Sequence, residues 1–409
     1  LALTGLTRTT ADAVLKEFYL PGIRTIMNNE LFLLSQVEQN TEDVEGRRAV
    51  LSINTGRNQG IGARAEGGAL PTAGKQGYSE ERVSLKYNYG RIEISGPVMR
   101  SMGSDRGSFT RAVQSETTGV VRDLKNDVNR QLYGDGTGLI GTLNAAASGN
   151  TGTLQTASAN DTVKRQLQVG MFIDIGTTGN PVLTASNRKI TSVNTAAGTF
   201  VFDGAAVAIT AADRVTRAGS AGNEVTGLAA QIASSGILWN IDPANAPDWV
   251  SYVDSNAGTN RAVAESMYLK AQQEVNIRSG EEIDIWITSA GVQRATANLL
   301  TSLKRFPQPL ELKGGYGALD MTATGQGRTG SNTVGLVFDK DCQTNTAWGI
   351  TTKRFQHYVM SDWEFMDEDG AVLNRVPNTD AYEGTLFRYH ELATDGRNAH
   401  AKIADLTEA

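Results

Sequence analysis

The chain has 409 residues, 40% of them hydrophobic and 20% charged, which is enough for roughly two or three domains with cores of their own. A formal net charge of −6 with no basic run argues against a dedicated nucleic-acid binder. The single cysteine, Cys342, excludes an intrachain disulfide and a cysteine-built zinc site and suits a reducing compartment.

Residues 10–37 show apolar residues at three- to five-residue steps (Val14, Phe18, Ile23, Ile26, Leu31, Leu34, Val37), which predicts a helix broken at Pro21-Gly22. The first residues lack the charged and apolar regions of a signal peptide, and no stretch of about 18 apolar residues follows anywhere. "RRAVLSINTG" (47–56) predicts a strand. "RNQGIGARAEGGALPTAGKQG" (57–77) then has Ile61 and Leu70 as its only large apolar residues and cannot form a core. The next strand, "ERVSLKYNYGRIEIS", places Val83, Leu85, Tyr87 and Tyr89 on one face, with a bulge or bend expected at Gly90 before Ile92 and Ile94 resume the apolar face. Two long strands with a coreless tip form a ribbon that is marginal alone in water and whose open edges invite a second chain.

Residues 108–133 predict the clearest helix, about 39 Å long, with Phe109, Val113, Val120, Leu124, Val128 and Leu132 as its stripe, Gly119 in its middle and Gly134 at its end. Between about 149 and 222 the composition turns to Thr, Ala, Gly and Asn. Four short strands at regular spacing, "MFIDIG", "RKITSVN", "TFVFDG" and "DRVTRAG", predict a small β-barrel or sandwich. "NRAVAESMYLKAQQEVNIR" (260–278) predicts a helix, and "EIDIWITSAGVQRATANLL" a strand, a hydroxyl cap and a helix. The plan is α+β with one β-rich insertion.

Motifs for chemistry are weak. "GIGARA" (Gly60, Gly62, Ala65) has a dinucleotide-loop spacing, but "EGG" and "LP" follow it where a phosphate loop must open a helix. "GDGTG" (134–138) lacks the Lys-Ser/Thr pair of a phosphate loop and reads as the turn closing the long helix. His357, His390 and His400 show no metal-pair spacing, and "SDWEFMDEDG" (361–370) fits a turn at Glu368-Asp369-Gly370 better than a calcium loop. Cys342 reads as a structural small residue. The sequence therefore points away from an enzyme and predicts no catalytic, cofactor or metal site.

The order of these pieces resembles the major capsid proteins of tailed bacteriophages, the Hong Kong 97-type fold family. The resemblance is carried by "QLYGDGTGLIGTLNAAA" (131–147) at the end of a long spine helix, by "LPTAGKQGYSEERVSLKYNYGRIEISGPVM" running into it, by "VGLVFDKDCQTNTAWGI" (334–350) and by the closing "YEGTLFRYHELATDGRNAHAKIADL". It implies an N-terminal arm (1–46), an extended loop hairpin (47–97), a peripheral domain with the spine helix (98–148), the insertion (149–222), a peripheral continuation (223–280), an axial domain (281–354), peripheral strands (355–379) and axial C-terminal strands (380–409).

The same resemblance implies a coat protein assembled as hexamers and pentamers into an icosahedral shell around packaged double-stranded DNA, in the virion after assembly in the host cytoplasm. Its partners would be other copies of itself, then scaffolding, portal and decoration proteins, with nonspecific DNA contact and no membrane. An encapsulin-like nanocompartment shell protein is the alternative reading, and a nucleotide-binding enzyme the second. Arg57, Arg64, Glu66, Lys75, Glu81 and Arg82 are the intersubunit contact candidates, and Gly90, Gly119 and Gly134 the hinge candidates. The founding member of the family joins a loop lysine to a neighbour's asparagine. Lys75 with Asn374 or Asn378 supplies the residue types, but no spacing rule ties them, and noncovalent shells are expected.

Overall fold

The computed structural model describes residues 31–46, 48–97, 106–144, 148–155, 166–177, 183–211, 213–302, 309–312, 316–320, 334–367 and 371–409. Most of the first predicted helix, its Pro21-Gly22 break and the turn at 368–370 lie outside them; within them the short α1 (Phe32–Gln36) is helical.

From α1 the chain runs through β1 (Glu38–Asn40) and β2 (Val44–Glu45) into the ribbon β3 (Arg48–Gly56) and β4 (Gly77–Ser84). Leu85 alone separates β4 from β5 (Lys86–Ser95), and α2 (Arg106–Tyr133) follows. The next strands are β6 (Leu139–Thr142), β7 (Ser148–Gly149), β8 (Thr151–Thr153), β9 (Phe172–Gly176), β10 (Leu183–Asn194), β11 (Thr199–Phe202), β12 (Val207–Ala208) and β13 (Arg214–Arg217). After them come α3 (Leu228–Gln231), β14 (Tyr252–Asp254), α4 (Glu265–Ser279), β15 (Ile285–Thr288), α5 (Ala290–Ser302), β16 (Pro309–Leu312), β17 (Tyr316–Asp320), β18 (Gly335–Phe338) and β19 (Ala347–Ile350). β20 (Phe355–Phe365), β21 (Asn374–Arg375), β22 (Ala381–Thr394) and β23 (Ala401–Ile403) close the chain.

Three sheets carry the body. One has the order β1-β20-β22-β21, with β5 paired along β22 from Ser95 opposite Ala381 to Lys86 opposite His390. Its inner face packs on α2: Val121, Leu124, Val128 and Leu132 meet Ile94, Trp363, Phe365, Leu386 and Leu392 in one buried cluster. The helix is about 42 Å long at 1.5 Å per residue, and its buried stripe runs through Val121 rather than Val120.

A second sheet, β14-β23-β19-β15-β18-β17-β16, encloses Tyr268, Trp286, Val292, Leu336 and Ile403. Ser289 caps α5 by accepting the Val292 N–H at 3.4 Å. The third, β6-β13-β9-β10-β11-β8, has its own core of Ile140, Ile173, Ile175, Ile190, Phe200, Phe202 and Val215. Strand β6 belongs to it, so this unit starts upstream of the expected boundary at 149.

Two other expected boundaries move. β22 pairs with β20 over 386–394 and with β5 over 381–390, so residues 381–394 share the sheet of 355–365 and only β23 joins the seven-stranded sheet. β14 pairs parallel with β23, and Tyr268, Ala271 and Val275 of α4 lie in the core of that sheet, so 252–279 also sits there. In both places the strand pairing is long-range, which local periodicity does not reveal.

The expected bulge at Gly90 is absent: the register passes through Gly90 opposite Leu386 without a shift. The apolar face changes earlier, between Leu85 and Asn88, where the chain leaves the β3–β4 ribbon and joins β22. Gly90 serves packing. A Cβ there would lie 2.8 Å from Val120 Cγ1 and 3.3 Å from Leu124 Cδ2, so glycine lets α2 approach the sheet.

Candidate assembly interface

The ribbon β3–β4 projects from the body and ends in residues 57–76, which have no helix and no buried side chain. Ile61 is 80% and Leu70 87% exposed. Glycine lets the two backbones meet: a Cβ on Gly60 would lie 2.6 Å from Gly74 N. The segment "GIGARA" therefore sits in a loop that opens no helix, which removes the anion site a dinucleotide loop needs.

Arg57, Glu66 and Lys75 are exposed and form no ion pair with described residues. Arg64 folds back on the tip, donating to Ala69 O and Ala63 O, each at 3.0 Å. Arg82 pairs with Glu80 at 2.8 Å on the exposed side of β4.

Glu81 does not belong with these residues. Its side chain is wholly buried, on the β4 face shared with Val83 and Leu85, so it offers nothing to a neighbouring surface in this conformation. Gly119 lies within the uninterrupted α2, with open space where a Cβ would go, and Gly134 donates its N–H to Gln131 O at the helix end. Asn374 opens β21 opposite Glu383, and Asn378 sits in a turn with φ 59°.

Tyr87 and Tyr89, placed on the buried face by periodicity alone, point outward. Tyr87 stands opposite Tyr389 and Tyr89 opposite Phe387, with ring centroids 4.9 Å apart for Tyr87–Tyr389 and for Phe387–Tyr389. With the exposed Met360 they give the outer face of the first sheet an apolar end. Farther along, Glu93 opposes Glu383, and Arg91 pairs with Glu383.

The inner face is polar in a way the sequence did not announce. His357 and His390 meet at 2.9 Å, wholly buried, beside Arg388, whose guanidinium lies 5.4 Å from the Trp363 ring and 3.2 Å from Asp362. Burial and then the Arg388 charge push both imidazoles well below the ordinary range. Their spacing of 33 residues matches no motif; only the β20–β22 register brings them together.

At the end of α2, Asn129 donates to Asp339 and Asp341 at 2.8 and 2.7 Å, and Gln131 accepts from Asn88 at 3.1 Å. Arg130 holds Asp127 and Glu224. Burial works against the Asp127 charge, yet the guanidiniums of Arg130 and Arg217 hold its carboxyl below the usual range. These groups partly line a cleft of about 810 Å³ between β5, α2 and residues 217–224, where each is already engaged by a neighbour. The network fixes the helix to the sheet. Cys342 is buried, and burial raises its thiol well above the ordinary value. Among the described residues no group of three or more His, Cys, Asp or Glu is arranged to hold a metal, and no helix is long and apolar enough to cross a membrane.

No family model matches the chain, and no curated protein matches it. Solved structures do. A chain of the cyanophage A-1(L) capsid asymmetric unit aligns over 93% of this chain and 93% of its own, at 12% identity and a TM-score of 0.57. The capsid of Myoviridae phage XM1 aligns over 92% and 91%, at 10% identity and a TM-score of 0.46. The holo-SrpI encapsulin complex from Synechococcus elongatus PCC 7942 aligns over 98% and 96%, at 8% identity and a TM-score of 0.47. Of these three only the first exceeds 0.5, and its near-complete mutual coverage shows that the chain has the α+β capsid fold expected from the sequence.

Proposed function

We propose that this chain is a major capsid protein of a tailed phage: many copies form hexamers and pentamers that close into an icosahedral shell around packaged double-stranded DNA. The observation that carries this reading is the shared fold with the cyanophage capsid chain over 93% of both chains. The ribbon supports it. A hairpin whose tip has two large apolar residues, both exposed, loses little by having no core if a neighbouring copy covers it.

In this reading Arg57, Arg64, Glu66, Lys75 and Arg82 are the contact residues of the ribbon. Ring contacts between copies are heterologous and close by rotation. Gly119 and Gly134 are the positions where one sequence adjusts to several environments. The protein resides in the virion after assembly in the host cytoplasm, with scaffolding, portal and decoration proteins as further partners, and it performs no catalysis. Neighbours are held by apolar burial and strand pairing, without a Lys75 crosslink.

Electron microscopy of purified protein tests the reading: closed shells are expected, and a monodisperse monomer at high concentration overturns it. Mass spectrometry of co-purifying material separates the shells, since DNA with tail proteins fits a virion and an enzyme cargo fits a nanocompartment. Deleting residues 60–75 should leave a folded subunit without stable shells. Particles boiled in detergent should run as one band near 43.7 kDa; a ladder would make Lys75 the first residue to mutate.

A further inference from the structure

At the root of the ribbon, β4 packs against β20 and β22 of the first sheet. Ala49, Val83 and Leu85 pack there against Tyr358 of β20 and Ala393 of β22. In the middle of this seat lies Glu81, opposite Leu51 of β3 and wholly buried, with neither carboxyl oxygen hydrogen-bonded. Two further buried atoms of the same neighbourhood also lack partners: Trp239 Nε1, on the turn whose carbonyl receives the Arg82 N–H at 3.1 Å, and Asp395 Oδ1, just past β22.

The charged and titratable groups that act with Glu81 in this seat are Asp395 and Tyr358 of β20; Asp43, from the β1–β2 connection, acts on Tyr358. None is a cation. The nearby guanidinium of Arg354 is held by Asp395 at 3.2 Å and Glu281 at 2.8 Å. An ionised carboxylate without a partner in such a site costs far more than its neutral form. Burial, and then the Asp395 charge, raise the Glu81 carboxyl to about 9, so it is the neutral acid at pH 7.

We propose that Glu81 is a proton-operated latch for the ribbon: the neutral acid fits the seat, and ionisation drives β3 and β4 off the β20–β22 pair, with Leu85 as the pivot. The coupling runs in both directions by linkage. Exposed to water, Glu81 returns to the ordinary glutamate value near 4.5 and gives its proton to solvent. A ribbon pulled from its seat at pH 7 therefore releases a proton, and a ribbon that docks takes one up. The inference concerns a single chain and does not depend on shell formation.

The test is a fluorophore on Thr72→Cys in the full-length, unassembled subunit, with anisotropy followed from pH 6 to 10; Cys342 is buried and escapes labelling. Anisotropy should fall in a one-proton step at or below about pH 9, the value of the docked carboxyl, as the tip gains freedom. Glu81→Gln should be flat across this range at the low-pH value, and Asp395→Asn, which removes the repelling charge, should reduce the amplitude of the step. Should Glu81→Gln fold poorly, Glu81→Leu must give the same flat trace. A flat trace with Glu81 present, or a step that persists in the Gln and Leu variants, overturns the proposal.

Discussion

Residues 57–76, the loop between two strands, and residues 384–400, mostly strand, are used in opposite ways. The first has no buried side chain, and its two large apolar residues face outward. The second hides Arg388, His390, Glu391, Arg397 and His400 completely. A buried polar group must find partners, which specifies one arrangement of its neighbours. An exposed coreless tip specifies nothing within its own chain. The difference assigns folding to the second segment and leaves the first free for the proposed contact between copies, so substitutions in the two should have opposite signatures.

Arg397 gives the largest expected effect. It donates to Gln231 O, Gly236 O, Ala230 O and Ser235 O at 2.8–3.1 Å and stacks over Trp249. Arg397→Ala strands several carbonyls at about 1–3 kcal/mol each, so a loss of roughly 3 kcal/mol or more is expected in urea unfolding. A loss below about 1 kcal/mol would mean that water replaces the guanidinium.

Gly90→Val comes next. The methyl groups must displace Val120 and Leu124 of α2, and overpacking of this kind costs about 1–3 kcal/mol. The melting temperature should drop, while Gly119→Ala, with open space around it, should hold or raise it.

The pH dependence has two arms of opposite sign. Burial pushes His357 and His390 well below their usual range and His400 to about 3. The unfolded chain binds protons below about pH 6.5 that the folded chain refuses, so these groups lower stability as pH falls. Burial raises Glu81 to about 9 and Glu391 to about 8. The folded chain keeps protons that the unfolded chain loses above about pH 4.5, so these groups lower stability as pH rises toward 8–9. Urea midpoints should peak between about pH 4.5 and 6.5 and decline on both sides, and Glu81→Gln should flatten the alkaline decline.

Ile61→Ser with Leu70→Ser should change subunit stability least, by within about 0.5 kcal/mol. The same pair should reduce particle yield in electron microscopy. Normal yield would remove the tip from the interface and collapse the contrast between the two segments.

Much of the architecture was legible in the sequence. Alternation marked β3, β4, β9–β11 and β13, the 3.6-residue stripe marked α2, and the poverty of apolar residues between 57 and 77 marked the exposed tip. What escaped depends on partners far along the chain. Tyr87 and Tyr89 were assigned to the wrong face because β4 pairs with β3 and β5 with β22, and the alternation changes phase where the partner changes. Glu81 reads as a surface charge beside Glu80 and Arg82 until β20 and residue 395 close over it. The His357–His390 pair exists only through the β20–β22 register.

The passage from β4 to β5 through Leu85, with no turn between them, has a mechanical meaning. Tension applied at the tip travels along one backbone into β5 and is directed along that strand. The hydrogen bonds from Lys86–His390 to Ser95–Ala381 then share the load in shear instead of opening one after another, as they would if β5 were peeled sideways from β22. A ribbon anchored in this way can carry force along β5 into the body even when β3 and β4 leave their seat, and in the proposed shell that load would pass through a strand continuous with a coreless tip.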